Sequence, residues 1–149
     1  MDIFTFDWAT VGDVALRLSL AFLLAAPIGW ERERHTRLMG LRTFPIVAMA
    51  SCAYILVLRE IAGDEPQAQA RMLQGLVTGM GFIGGGAILK GKEHVTGTAT
   101  AASLWATGAL GAAVAYGLLS IAIVVSLVVF LTLKLLTPIG EFLAAKGDE

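Results

Sequence analysis

Charge is the first thing this chain lacks. Only 15% of its 149 residues are Asp, Glu, Lys or Arg, against about 25% in ordinary soluble domains, so a conventional water-facing surface is excluded. Cysteine is almost absent: Cys52 stands alone, which rules out an intrachain disulfide and leaves a buried thiol as its expected role. The two histidines, His35 and His94, lack the paired spacing of a transition-metal site and are expected to be solvated loop residues. No cationic segment opens the chain, because Met1-Asp2-Ile3-Phe4-Thr5-Phe6-Asp7-Trp8 is acidic and aromatic. A cleavable signal sequence is therefore not expected, and the first helix should stay attached.

What remains is hydrophobic: 56% of the residues are apolar and the mean hydropathy is +0.75. Apolar runs close to the roughly 20-residue spanning length cover about 11–30, 43–58, 72–89, 98–116 and 118–136. None alternates apolar and polar residues as the strands of a membrane barrel must, and helices are the other way to satisfy a backbone in lipid. The expected fold is an all-α integral membrane bundle of about five transmembrane helices in a single domain. With five crossings, Arg32, Arg34, Arg37, Arg42, Lys90, Lys92, Lys134 and Lys146 fall on one side and Arg59 and Arg71 on the other. The positive-inside rule then puts the N-terminus outside and the C-terminus in the cytoplasm.

The third run is glycine-dense. Gly75, Gly79, Gly81, Gly84, Gly85 and Gly86 would let helix backbones approach closely, which is how membrane helices pack, so this helix is expected at the centre of the bundle. Gly75 with Gly79, and Gly81 with Gly85, have small-xxx-small spacing on different faces; one suits the protomer and the other a partner. Two nucleotide look-alikes are set aside. Gly79-Met80-Gly81-Phe82-Ile83-Gly84 spells a dinucleotide fingerprint but lies in no βαβ unit, and Gly86-Ala87-Ile88-Leu89-Lys90-Gly91-Lys92 approximates a phosphate loop but has Glu93 where Ser or Thr is needed.

Polar residues inside the spans are few. Asp13 and Arg17, four apart, share a helical face and can pair; an intramembrane charge suggests function, unless both snorkel to the surface. Thr78 lies in the third helix, and Thr100, Ser103 and Thr107 form a hydroxyl stripe on the fourth, which serves either helix packing or a polar cavity. Between the first two helices, Glu31, Arg32, Arg42 and Thr43 make a candidate polar site in which Glu31 and Arg42 are expected to act together. Glu31 and Glu33 could supply oxygen ligands to magnesium, but the neighbouring arginines compete, and no metal site or cofactor is assigned.

Four segments follow in order the pattern of a known family: Gly29-Trp30-Glu31-Arg32-Glu33, Gly40-Leu41-Arg42-Thr43, Gly79 to Gly86, and Gly97-Thr98-Ala99-Thr100-Ala101-Ala102-Ser103-Leu104-Trp105. Across roughly residues 17–117 the chain resembles the MgtC/SapB membrane protein family. The resemblance implies a bacterial inner-membrane protein linked to adaptation to low magnesium and, in pathogens, to survival inside host cells, with members that look more like regulators of other membrane proteins than transporters. Two departures stand out: Ala99 replaces the family's usual Asn or Thr, and Thr98 replaces a Leu. The soluble C-terminal domain of longer members is not expected, since little follows Pro138.

Independently of the family, a shift of 57 residues lays Gly29 on Gly86, Gly40 on Gly97 and Thr43 on Thr100, as if the first helical hairpin were repeated in parallel by the second. The leading functional expectation is a regulatory membrane module whose partners are the lipid bilayer, a second copy of the chain (a dimer being the simplest case) and a larger membrane protein, with no nucleic acid. The alternative is a transporter or channel for magnesium or another small solute. No nucleophile and base, and no metal cluster, suggest an enzyme.

Overall fold

A computed structural model describes residues 7–35, 39–90 and 95–147, with side chains as far as 140. Of the residues weighed above, Arg37, Lys92, Glu93 and His94 lie outside the described residues, as does the side chain of Lys146. Five helices follow in order, with a two-stranded hairpin after the third: α1 (Trp8–His35), α2 (Thr43–Ala62), α3 (Pro66–Ala87), β1 (Leu89–Lys90), β2 (Val95–Thr96), α4 (Thr98–Ala115) and α5 (Leu119–Gly147). The chain is an all-α membrane bundle. Four helices, α1, α2, α4 and α5, are long and apolar enough to cross a membrane. The polar start of α3, Pro66-Gln67-Ala68-Gln69-Ala70-Arg71, dilutes its hydropathy.

Local signals account for the ends. Asp7 caps α1, accepting bonds from the Ala9 and Thr10 amides at 3.2 and 2.9 Å and from the Thr10 hydroxyl at 2.8 Å. Glu65 accepts from the Ala68 amide ahead of α3, with Pro66 in the first turn where a missing N–H costs nothing. Gly97, at φ 88°, opens α4 in the left-handed region, and a Cβ there would collide with the Ala87 carbonyl. The third helix stops at Ala87 instead of continuing to Leu89. Ile88 is already extended, and Leu89 and Lys90 pair antiparallel with Thr96 and Val95.

The centre of the bundle is α4, not the glycine-rich α3. Helix α4 packs on α1, α2, α3 and α5, whereas α3 packs mainly on α4 and less on α2. The reason is side-chain size on every face of α4: Ala, Gly, Ser and Thr fill most of its length, so neighbours can approach from all sides. The closest crossing is with α2. A Cβ on Gly111 would collide with the Ala48 carbonyl and lie 3.0 Å from Ser51 Cβ, and one on Gly108 would lie 2.7 Å from Met80 Cγ. Among the described residues, the α3 glycine that meets a neighbour is Gly84, where a Cβ would lie 3.3 Å from the Ala101 carbonyl oxygen. A Cβ at Gly75, Gly79, Gly81, Gly85 or Gly86 would touch nothing. Bulky residues occupy the outside: Ile121, Ile123, Val124, Leu127 and Val128 of α5 are exposed, as suits lipid contact. One bond ties α5 to α1, from the Ser126 hydroxyl to the Leu24 carbonyl at 2.6 Å.

The two hairpins share a packing detail. In the first, a Cβ on Gly29 would lie 3.1 Å from the Gly40 carbonyl oxygen and 3.2 Å from Phe44 Cβ. In the second, Gly97 lies against Ala87, and Gly84 against Ala101. Gly40 with Gly97, and Phe44 with Ala101, are each 57 residues apart, but Gly86, the counterpart of Gly29 in that register, has nothing within 4 Å, and Gly84 makes the contact instead.

Candidate functional site

Polar groups gather at the two ends of the bundle. At the hairpin end, where α1 turns into α2, the last turns of α1 bury Ile28, Gly29, Glu31 and Arg32. Glu31 is 5% exposed and Arg32 3%, so these two charged side chains lie inside the protein while their neighbours Glu33 and Arg34 face out. His35 Nδ1 is 2.9 Å from the Glu31 carbonyl and 3.6 Å from its Oε1. Glu33 accepts a bond from the Leu41 amide at 3.1 Å and so closes the turn, while the Arg34 guanidinium lies 5.4 Å from the Trp30 ring centre. Arg42 has an exposed side chain, caps nothing, and forms no ion pair with Glu31 among the described residues. Glu31 thus has His35 as its neighbour, and the expected contact with Arg42, which is exposed just ahead of α2, is not formed among the described residues. Thr43 is half-buried.

At the opposite end three helices meet on one carbonyl. Arg17 of α1 pairs with Asp13 through Nε at 2.7 Å and donates from Nη1 to the Ala115 carbonyl at 3.1 Å. Arg59 of α2 donates to the same oxygen at 3.5 Å and sits 3.8 Å from Asp64. Ala115 ends α4, where unpaired carbonyls and the helix dipole attract cations. The 18 residues of α4 rise about 27 Å at ~1.5 Å each, close to the ~30 Å thickness of a hydrocarbon core, so the cluster and the start of α4 are separated by about one such thickness. Reasoning from sequence missed Arg59 as its partner. The only signal was that a helix end needs a cationic cap, and nothing in the chain says which residue, 56 positions away, supplies it.

Two of the α4 hydroxyls bond carbonyls of their own helix, while that of Thr100 is buried without a hydrogen-bond partner among the described residues. Ser103 donates to the Ala99 and Thr100 carbonyls at 2.8 and 3.0 Å, and Thr107 to Ser103 at 2.8 Å; Thr100 is buried. Thr78 does the same on the exposed side of α3, bonding Gln74 at 2.8 Å. Among the described residues no group of three or more His, Cys, Asp or Glu is placed to hold a metal ion. The dinucleotide look-alike lies inside α3, where its amides are spent on helix bonds.

The MgtC family model matches residues 18–142. The chain belongs to the MgtC family. Among relatives in that family, it is 37% identical over 140 residues to Protein SrpB of Synechococcus elongatus, covering 86% of this chain and 75% of SrpB. It is 35% identical over 136 residues to Protein MgtC of Brucella abortus, covering 91% of this chain and 56% of that protein. It is 32% identical over 128 residues to a protein of Escherichia coli named "Putative magnesium transporter YhiD", covering 80% and 58%. The chain thus spans little more than half the length of the latter two MgtC family relatives. No solved structure matches the chain.

Proposed function

We propose that this chain is a regulatory module of the bacterial inner membrane, acting by helix contacts with a larger membrane protein during adaptation to low magnesium or related stress, and associating with its own copies. It carries out no catalysis. The N-terminus lies outside and the C-terminus in the cytoplasm, a reading that rests on the arginines around the α1–α2 turn. The observation that carries the proposal is the unoccupied glycine face of α3. Gly75 and Gly79 have open space beside them and line a groove of about 360 Å³ with Tyr54, Met72 and Ile83. Glycine is unfavourable in a helix by roughly 1 kcal/mol relative to alanine, and a second helix seated on this face would offset that cost. The hydroxyls of Ser103 and Thr107 add support, since they spend on the backbone groups that a solute path would use.

A double substitution, Gly75→Leu with Gly79→Leu, tests the reading by complementation of a strain lacking this chain. Normal membrane insertion and thermal stability with lost growth at low magnesium is the expected outcome; full growth would refute it. The name of the Escherichia coli relative favours magnesium transport as the second reading. Magnesium uptake by proteoliposomes holding the purified chain, above that of empty vesicles, would put transport in its place.

A further inference from the structure

Between the outer parts of α1 and α2 runs a cleft that neither the bundle core nor the glycine face uses. One part, about 370 Å³, is lined by Asp13, Arg17, Arg59, Glu60 and Asp64. The other, about 400 Å³, is lined chiefly by Val11, Val14, Ala53, Leu56 and Val57. Thr10, Val14, Leu56 and Glu60 belong to both, so the two adjoin: one compartment is charged, and the other is mainly apolar with Asp7 and Glu60 on its wall. Each lies in the size range of ligand sites.

The charged compartment has capacity to spare. Arg17 spends Nε on Asp13 and Nη1 on the Ala115 carbonyl, and Arg59 spends Nη1 on that same carbonyl. The remaining N–H donors of both guanidinium forks have no hydrogen-bond acceptor among the described residues, and an Arg fork matches the oxygens of a phosphate. A simple anion is nonetheless a poor fit. Glu60 lines the cleft without an ion pair among the described residues, and Asp13 and Asp64 stand beside it. A headgroup bearing only negative charge would meet these carboxylates. A phosphate followed by an ammonium satisfies both sets, with the phosphate on the arginines and the ammonium on Glu60. The mainly apolar compartment then accepts hydrocarbon, and the cluster lies at the end of α4, a helix about as long as a hydrocarbon core is thick.

We infer that this cleft binds one zwitterionic aminophospholipid, its phosphate held by Arg17 and Arg59, its primary ammonium by Glu60, and an acyl chain running past Leu56 and Val57 toward Ala53. The lipid bridges α1 to α2, both of which line the cleft, and it is a structural ligand independent of the regulatory reading.

The test uses the purified full chain in detergent micelles doped at equal mole fraction with dioleoylphosphatidylethanolamine, dioleoylphosphatidylglycerol or dioleoylglycerol, with inorganic phosphate and magnesium chloride as headgroup-free probes. Thermal unfolding and native mass spectrometry are the readouts. Phosphatidylethanolamine should raise the midpoint most and remain as a single bound lipid. Arg59→Gln should weaken its binding roughly tenfold or more, the loss expected on removing charge-assisted bonds. Glu60 is exposed, so Glu60→Gln leaves the fold intact; it should erase the preference for phosphatidylethanolamine over phosphatidylglycerol while both still bind. Equal stabilisation by all three lipids would overturn the inference, as would a full shift from phosphate or magnesium alone, or an unchanged lipid preference in Glu60→Gln.

Discussion

Replacing Gly111 by alanine adds one methyl group at the closest crossing in the bundle. The new Cβ would overlap the Ala48 carbonyl oxygen, lie 2.9 Å from its carbon and 3.0 Å from Ser51 Cβ, where carbon atoms prefer about 3.5–4.0 Å. Relief requires α2 and α4 to part by several tenths of an ångström or more, because the obstructing atoms include backbone and cannot swing aside. Overpacking of this kind costs about 1–3 kcal/mol and occasionally more. Since α4 also touches α1, α3 and α5, the displacement spreads through the bundle, and a cost of about 3 kcal/mol lowers the unfolding midpoint by roughly 6–12 °C in a chain of this size. Gly79→Ala is the matched control: the same added methyl, in a helix, with nothing within 4 Å. Its midpoint should hold or rise slightly, as alanine favours the helix. The assay is thermal unfolding in detergent followed by circular dichroism, with folded yield by size exclusion. If Gly111→Ala unfolds no earlier than Gly79→Ala, α4 is not the packed centre and the crossing is wrong.

Ser126→Ala removes the bond from α5 to the Leu24 carbonyl and should cost about 0.5–1.5 kcal/mol, read as a lower midpoint; no change would mean that α5 is held by apolar contact alone. Glu31→Gln and Arg42→Gln should be additive in a double-mutant cycle on stability, because no ion pair joins them; coupling above about 0.5 kcal/mol would restore the pair that sequence suggested. Asp7 has its carboxyl held below the ordinary value of 3.8 by the Thr10 hydroxyl and then by the Thr10 and Ala9 amides. A depressed pKa means that the cap's contribution is complete above the unfolded value and disappears as pH falls through the folded one, so amide exchange at the start of α1 should accelerate below about pH 3.8, and Asp7→Asn should flatten that dependence.

Hydropathy and length were enough to read α1, α2, α4 and α5 as spans, because a backbone in lipid has to satisfy its hydrogen bonds within each span and each span must be apolar; α3, read as a fifth span, forms a helix but is not apolar enough to be one of them. The pairing of Asp13 with Arg17 was equally legible, since a spacing of four on a helix brings two side chains together whatever surrounds them. The end of α3 was not: Leu89 is as apolar as the helix before it, and only its pairing with Thr96 turns it into a strand.

The glycines mark the limit most clearly. Composition alone says that Gly79 and Gly111 are equally able to admit a close neighbour. Which one does depends on the helix that arrives, and that is a property of the packed bundle: α2 brings Ala48 onto Gly111, and among the described residues nothing comes within 4 Å of a Cβ at Gly79. The same holds for charge. Sequence located Glu31, Arg32 and Arg17, but burial of the first two and the meeting of Arg17 with Arg59 on Ala115 rest on contacts between residues as many as 98 positions apart. Local periodicity determines what lies within one helix, and only tertiary packing chooses which faces of different helices share a site.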